Sequence, residues 1–400
     1  MTTLRGLHSL AIRNFGILGD VEVRLERLNV LVGPNGSGKS TLLDVIDFLG
    51  DAARSQLADA VEVRGGLARL RTRGQPESSW VEIEVRAVVT AHAHENALDE
   101  YALAFRPISL TGPGSTRRIV VEQSEQFRFK RTGKQGRRIT LKGGKLSISD
   151  SGRARQLTLD KEAFGLAVLP HLGKNEGAAE VRKVQELFTT FRVFDVDAEA
   201  ARRPAHVRDA SRLRNDASNL AAFLAYLATD HRDAFSALVE DARAVVPGLA
   251  DLRLRQIGGA DEAVAIDVVD HGLPGATPLA DGSFGTVRAL ALLAMLYDPK
   301  PPLLTCVEEI DHGLHPHVFD RLVDRLREAS ARTQFLIATH SPALVNRLRP
   351  SELIVCERDE DTGLARIPAI DPEDVQKVMA DSPYGLGEIW FSGTLGGVPK

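Results

Sequence analysis

Leu28-Asn-Val-Leu-Val-Gly-Pro-Asn-Gly-Ser-Gly-Lys-Ser-Thr41 is the stretch on which the fold turns. Its first five residues are a short, mostly apolar run of the kind found in a buried strand. Glycines follow at 33, 36 and 38. Thr41-Leu-Leu-Asp-Val-Ile-Asp-Phe-Leu49 then places apolar residues at helical spacing, and the helix is expected to stop at Gly50. A strand, a glycine loop closing in Gly-Lys-Ser, and a helix form the phosphate-cradling pattern, and every position agrees. Glycines let backbone N–H groups turn inward around oxyanions. The helix N-terminus adds partial positive charge. Gly33, Pro34, Asn35, Gly36, Ser37, Gly38, Lys39, Ser40 and Thr41 are therefore the expected contacts of a nucleoside triphosphate, ATP. Lys39 would neutralise charge on the β- and γ-phosphates, and the Ser40 hydroxyl would ligate Mg²⁺.

Two further apolar runs end in polar groups. Leu303-Leu-Thr-Cys-Val307 leads into Glu308 and Glu309. The first acid is expected to hold Mg²⁺, directly or through its water, and the second to polarise the attacking water. Phe335-Leu-Ile-Ala-Thr339 leads into His340, one expected helix (318–331) further on. His340 then belongs at the C-terminal edge of the same sheet, where ligands of open α/β folds bind, and is expected to sense the γ-phosphate.

With the loop Leu279-Ala-Asp-Gly-Ser-Phe-Gly-Thr-Val-Arg288, the turn Asp311-His-Gly-Leu-His-Pro316 and Thr339-His-Ser-Pro342, the chain resembles the SMC/RecF-type branch of the ABC ATPases, especially its small soluble members. Ile12-Arg-Asn-Phe15 and the segment from Leu386-Gly-Glu-Ile-Trp390 to Gly396-Gly-Val-Pro399 look like that branch too. The likeness covers roughly 1–70 and 245–400 and matches the middle only loosely. It implies an α/β ABC-ATPase head, a P-loop NTPase fold, that dimerises around two ATP molecules. One subunit would supply the phosphate loop and the acidic strand end, the other a signature loop with a Ser-x-Gly core. Ser283 and Gly285 are the match, with the helix 286–296 aimed at the opposite γ-phosphate; a register centred on Asp281-Gly282 is the alternative. Asp311 fits the loop that touches the partner subunit. Glu308 stands where most such heads have Asp, an extra methylene that Mg²⁺ binding can accommodate. Gln123 and Gln185 are both candidates for the family's active-site glutamine, and neither has a deciding context.

Around these motifs, 80–148 alternates as an antiparallel strand layer should, and 150–245 carries amphipathic helical stretches such as 179–191 and 219–245. The expected organisation is 1–149 for the N-terminal part of the head with its β layer, 150–248 for a helical insertion, and 249–400 for the C-terminal part. His312, His315 and His317 invite a metal reading, but zinc sites usually add cysteine or wider spacing. His92 and His94 read as surface-loop residues. The formal net charge of −4 argues against a polyanion binder as a whole. From Arg117 to Lys145, however, ten Lys or Arg stand against two Glu. Arg128, Lys130, Arg131, Lys134, Arg137 and Arg138 would contact phosphates if DNA is a partner. Cys306 and Cys356 lie in apolar runs as free thiols. No run approaches a membrane span, and no secretory h-region opens the chain, so the expected location is the cytoplasm. Three purposes compete. They are a motor or switch of DNA maintenance or phage defence, a regulatory subunit that controls a separate effector protein without touching nucleic acid, and the ATPase of a transporter. With about 60 residues after His340 and no sustained heptads, nuclease or toxin activity is expected from a partner.

Overall fold

The computed structural model describes residues 5–111, 117–130, 136–150, 153–173, 177–258 and 262–397. After the hairpin Gly6–Phe15 (β1) and Leu18–Arg24 (β2), the apolar run Leu28–Val32 becomes β3, with every residue buried. It lies inside a five-stranded parallel sheet. The other members are Arg192–Phe194 (β10), Leu304–Val307 (β15), Gln334–Thr339 (β16) and Leu353–Val355 (β17), in the order β10-β15-β16-β3-β17. Burial on both faces is what an unbroken apolar strand needs, and successive side chains serve different cores. Val30, Val32, Phe335 and Ile337 face one apolar cluster; Leu31, Leu336, Ala338 and Cys306 face the other. The register sets Val32 beside Thr339 and Val355, so the C-terminal strand ends share one edge.

The second core lies between this sheet and an antiparallel one. That sheet runs β2-β1-β4-β5-β6-β7-β8-β9, with Val81–Val88 (β4), Asp99–Thr111 (β5), Arg117–Phe129 (β6), Arg137–Lys142 (β7), Lys145–Asp150 (β8) and Arg153–Thr158 (β9). The expected layer is present and wider than its alternation showed, since it recruits β1 and β2. Lys39–Arg54 (α1), Leu57–Val63 (α2) and Leu67–Leu70 (α3) contribute to the same core. The helix does not stop at Gly50. It continues to Arg54 with Gly50 buried inside it. A single glycine costs a helix only about 1 kcal/mol, too little to end one.

The first core takes Ala198–Ala201 (α6), Leu220–Asp230 (α7), Arg232–Val245 (α8), Phe284–Leu296 (α9) and Phe319–Ala329 (α10). Pro342–Val345 (α11), Pro372–Ala380 (α12) and Leu386–Phe391 (α13) complete it, while Gly165–Val168 (α4) and Ala178–Thr189 (α5) serve the other side. The stretch 219–245 breaks into two helices at His231. Residues 150–248 are not wholly helical. They hold β9, the sheet-edge strand β10, and Ala205–His206 (β11), which joins a small antiparallel sheet with Leu249–Ile257 (β12), Ala263–Asp270 (β13) and Thr277–Pro278 (β14). Strands of two or three residues are too short to show a period in sequence. Glu357–Arg358 (β18) and Ala365–Arg366 (β19) form a hairpin beside the phosphate loop. Asp241 on α8, with a fully buried side chain, accepts from Tyr297, Arg321 (2.7 Å) and Arg325 (2.6 Å), tying α8 to the end of α9 and to α10. Among the described residues no helix is long and apolar enough to cross a membrane.

The antiparallel layer carries a titrating group. Glu125 on β6 is fully buried and accepts from Tyr101 Oη (3.0 Å) and from the N–H groups of Leu166 (3.2 Å) and Gly165. Burial pushes its carboxyl from 4.5 up to about 7. Between those values the folded chain holds a proton that the unfolded chain has lost. Stability from this group is therefore full at the acid end and falls as pH rises through about 7. Glu125→Gln should shrink the difference in urea midpoint between pH 5 and pH 8. A difference as large as in wild type would count against this assignment.

Candidate functional site

The edge formed by the C-terminal strand ends collects the expected residues. Gly33 to Ser40 follows β3, Glu308 and Glu309 follow β15, and His340 follows β16. Gly36 (φ +76°) and Gly38 (φ +100°) adopt the left-handed backbone that curls the loop. Gly33 is required for another reason: a Cβ there would meet the Cys356 carbonyl oxygen at 2.2 Å. Gly38 caps α1, whose first turn carries no acidic side chain of its own. Lys39 is 6% exposed, and its Nζ donates to the carbonyls of Gly33 (2.8 Å) and Pro34 (2.9 Å). Burial lowers its pKa, against the pull of Cys356, Glu309 and Glu308. A buried ammonium without a carboxylate partner in hydrogen-bond contact fits a site made for a phosphate anion. The Ser37 hydroxyl beside it is buried with no partner. The Thr41 methyl packs at the β1–β2 turn, where a Cβ on Gly16 would come within 2.8 Å of it.

Ser40 Oγ donates to Glu308 Oε2 at 3.1 Å, which brings the loop and the acidic strand end together. Burial, with Asp195, Glu309 and Asp44 nearby, raises the Glu308 pKa, and the Ser40 bond pulls it back. This hydroxyl–carboxylate pair could hold Mg²⁺, a cation that usually keeps several waters and takes few protein ligands. Glu309 has a 57% exposed side chain and sits at φ +45°, an uncommon conformation for a non-glycine residue. Its own carboxylate is 3.6 Å from His312 Nδ1. His340 lies against the Gly33 backbone. Burial and then Lys39 lower its pKa, which favours the neutral ring. Glu309, His340 and Gly33–Asn35 line a cleft of about 770 Å³.

Ser283 and Gly285 are not in that cleft. They line a second concavity of about 380 Å³ with Gly313 and His315. Ser283 Oγ accepts from Thr286 N–H (3.1 Å) at the start of α9, and that first turn also lacks acids. The 311–315 turn separates the two concavities: Asp311 and His312 line the first, Gly313 and His315 the second. The Phe284 ring bridges them, 5.2 Å from the His312 ring. Asp311 accepts from Thr339 Oγ1, which ties the turn to the strand carrying His340.

Neither glutamine candidate reaches the cleft. Gln123 donates to the carbonyl of Ala163 (2.6 Å) and Gln185 to that of Ala53 (3.4 Å). The basic hairpin is also changed. Arg137 is a buried ion-pair residue, 2.8 Å from Asp150 and 3.0 Å from Glu180, so it is withdrawn from the phosphate-contacting set. Arg128 and Lys130 both pair with Glu100. Arg131 and Lys134 lie outside the described residues. Sequence reading missed Arg288. It is 3% exposed and donates to the carbonyls of Val196 (3.3 Å), Glu308 (3.2 Å) and Glu309 (2.6 Å), fixing the acidic strand end from α9. The one signal was a lone arginine within the apolar run 287–296.

Residues 189–346 match the family model "AAA domain, putative AbiEii toxin, Type IV TA system", and residues 6–100 match "AAA ATPase domain". No curated protein matches the chain. Among solved structures, the Smc head bound to the C-winged helix domain of ScpA has a TM-score of 0.53 and 15% identity, over 93% of this chain and 99% of that one. A Pyrococcus furiosus Smc head bound to the C-terminal domain of ScpA gives 0.49 and 13%, over 94% and 99%. At such identity the likeness speaks for the fold, carried by the first of the two; the family matches speak for the ATPase. The fold is that of the Smc heads, and the two family-model matches support an ATPase of the P-loop NTPase type.

Proposed function

We propose that the chain is a cytoplasmic, ATP-driven switch that closes as a homodimer around two ATP molecules and reopens on hydrolysis, in a DNA-maintenance or phage-defence system. The observation that carries this reading is the separation of Ser283 and Gly285 from the cleft of their own phosphate loop. A second copy can bring its Ser283 loop to that cleft, with the N-terminus of its α9 directed at the γ-phosphate. Within one site, Lys39 and the loop N–H groups hold the β- and γ-phosphates. Ser40 and Glu308 would hold Mg²⁺, which neutralises charge between those phosphates. Glu309 accepts the proton of the attacking water. His340, as a neutral ring, donates its one N–H to the terminal phosphate, and Thr41 closes the loop against the β1–β2 turn. Arg288 keeps Glu309 in place through its carbonyl.

The test is complementation between two inactive chains. Ser283→Arg should remove the signature contribution and Lys39→Ala the phosphate loop, so neither hydrolyses ATP alone. A mixed dimer holds one intact composite site, and the mixture should regain turnover. If mixed dimers form, shown by differential tags, and turnover stays at the level of the separate chains, the shared-site reading is lost.

A second reading is favoured by the charges of the β6–β7 hairpin. Arg128, Lys130 and Arg137 are engaged by acids of this same chain, which leaves the hairpin a weaker track for DNA. A regulatory subunit acting on a separate effector protein needs no such track. The match of 189–346 to a family of putative AbiEii toxins of type IV TA systems supports a defence setting for either.

A further inference from the structure

The wall of the 770 Å³ cleft facing the phosphate loop is built from parts that the hydrolysis scheme does not use, the β18–β19 hairpin and α13. The hairpin is fastened to the loop. Cys356 N–H donates to the Val32 carbonyl (2.7 Å), and Ala365 N–H to that of Ile17 (2.8 Å). A Cβ on Gly38 would come 2.7 Å from the Ala365 Cβ, and one on Gly33 would strike the Cys356 carbonyl. The backbone of the hairpin is therefore held against the phosphate loop.

The hairpin carries Arg358. Its Nη1 is 3.7 Å from where a Cβ on Gly36 would sit, at the exposed tip of the loop. Its Nε donates to the Gly363 carbonyl at 3.0 Å, which orients the guanidinium plane and leaves the Nη groups directed elsewhere. Among the described residues lining the cleft it is the only lysine or arginine, against the acids Glu309, Asp311, Glu357 and Glu360. An acid-rich cleft repels a polyanion unless fixed cations answer it, and Lys39 is already committed beneath the loop. A planar guanidinium is suited to two phosphate oxygens at once.

We propose that Arg358 is a nucleotide-binding residue that contacts the terminal phosphate of ATP from the wall opposite Lys39. It lines the same cleft as Glu309 and His340, from the β17 flank of β3 while they stand on the β15–β16 flank. The assignment rests on the ATP-binding reading of the phosphate loop and adds discrimination between ATP and ADP. It also ties the nucleotide state to the segment after β17, since Trp390 and Phe391 line the same wall.

The experiment measures the affinities of Mg-ATP and Mg-ADP for Arg358→Ala and Arg358→Lys. Trp390 is one of two tryptophans and lines the cleft, so Trp80→Phe leaves it as a single fluorescent reporter. Arg358→Ala should weaken ATP binding about 10- to 100-fold, the usual worth of a charge-assisted contact. ADP affinity should change less than about threefold, because the contacted group is missing. Arg358→Lys should recover part of the ATP affinity, since charge remains and the fork is lost. Melting without nucleotide should match wild type, because Arg358 is exposed. Unchanged ATP affinity in Arg358→Ala would overturn the proposal, and so would an equal loss for ATP and ADP. Failure of the phosphate-loop reading looks different: the Trp80→Phe parent itself would bind neither nucleotide.

Discussion

Lys39→Ala should abolish tight ATP binding, together with the thermal stabilisation that Mg-ATP confers on the wild-type chain. A ligand at about 100 times its dissociation constant stabilises the folded state by about 2.7 kcal/mol, and a chain that cannot bind shows none of this. The expectation rests on burial. Lys39 is 6% exposed and lies beneath the loop, with the Gly33 and Pro34 carbonyls as its hydrogen-bond partners. No other lysine or arginine among the described residues shares that place, and Arg358 approaches from the other side. Without nucleotide the variant should melt close to wild type. Losing a buried ammonium relieves a desolvation cost while it strands two carbonyls, and these effects oppose each other. Melting curves with and without Mg-ATP decide the matter. An equal upward shift in the variant would show that the nucleotide binds somewhere other than this loop.

Glu309→Gln should slow hydrolysis by about 10²- to 10⁴-fold, the range for losing a positioned general base. Nucleotide binding should survive, because Lys39, Ser40 and the loop N–H groups are untouched. The strand end should also keep its shape, since Arg288 grips the Glu309 carbonyl (2.6 Å) rather than its carboxylate. Hydrolysis is what opens the proposed dimer, so the variant should accumulate as a dimer in Mg-ATP. Light scattering with and without nucleotide reads this directly. A variant that stays monomeric in saturating Mg-ATP would defeat the closure mechanism. Dimer present without nucleotide would point to association through another surface.

Much of this site was legible because its chemistry is contiguous in the chain. Leu28–Val32, the glycine loop and α1 announce themselves through apolar burial, left-handed glycines and helical spacing, all properties of neighbours in sequence. Glu308, Glu309 and His340 follow apolar runs, and parallel strands deliver such ends to one edge. Other features had no local signal. β10 is three residues long, and nothing in Arg192–Phe194 announces the edge of the parallel sheet. Arg137 has the same composition signal as its hairpin neighbours, yet Asp150 and Glu180 bury it. Gly50 reads as a helix end by propensity and sits buried inside one.

By itself the amino-acid sequence determined the strand–loop–helix unit and the class of reaction. Each depends on backbone conformations and side-chain chemistry set within about ten residues of chain. The tertiary structure decided which of these residues share a cavity. It set Ser40 beside Glu308 across 268 positions of sequence, laid Arg358 over Gly36, and sent Ser283 to a different concavity from Glu309 and His340. Those outcomes follow from strand order and from two apolar clusters packed on opposite faces of one sheet. They are global properties, because a contact between distant segments exists only after the whole chain has committed its burial.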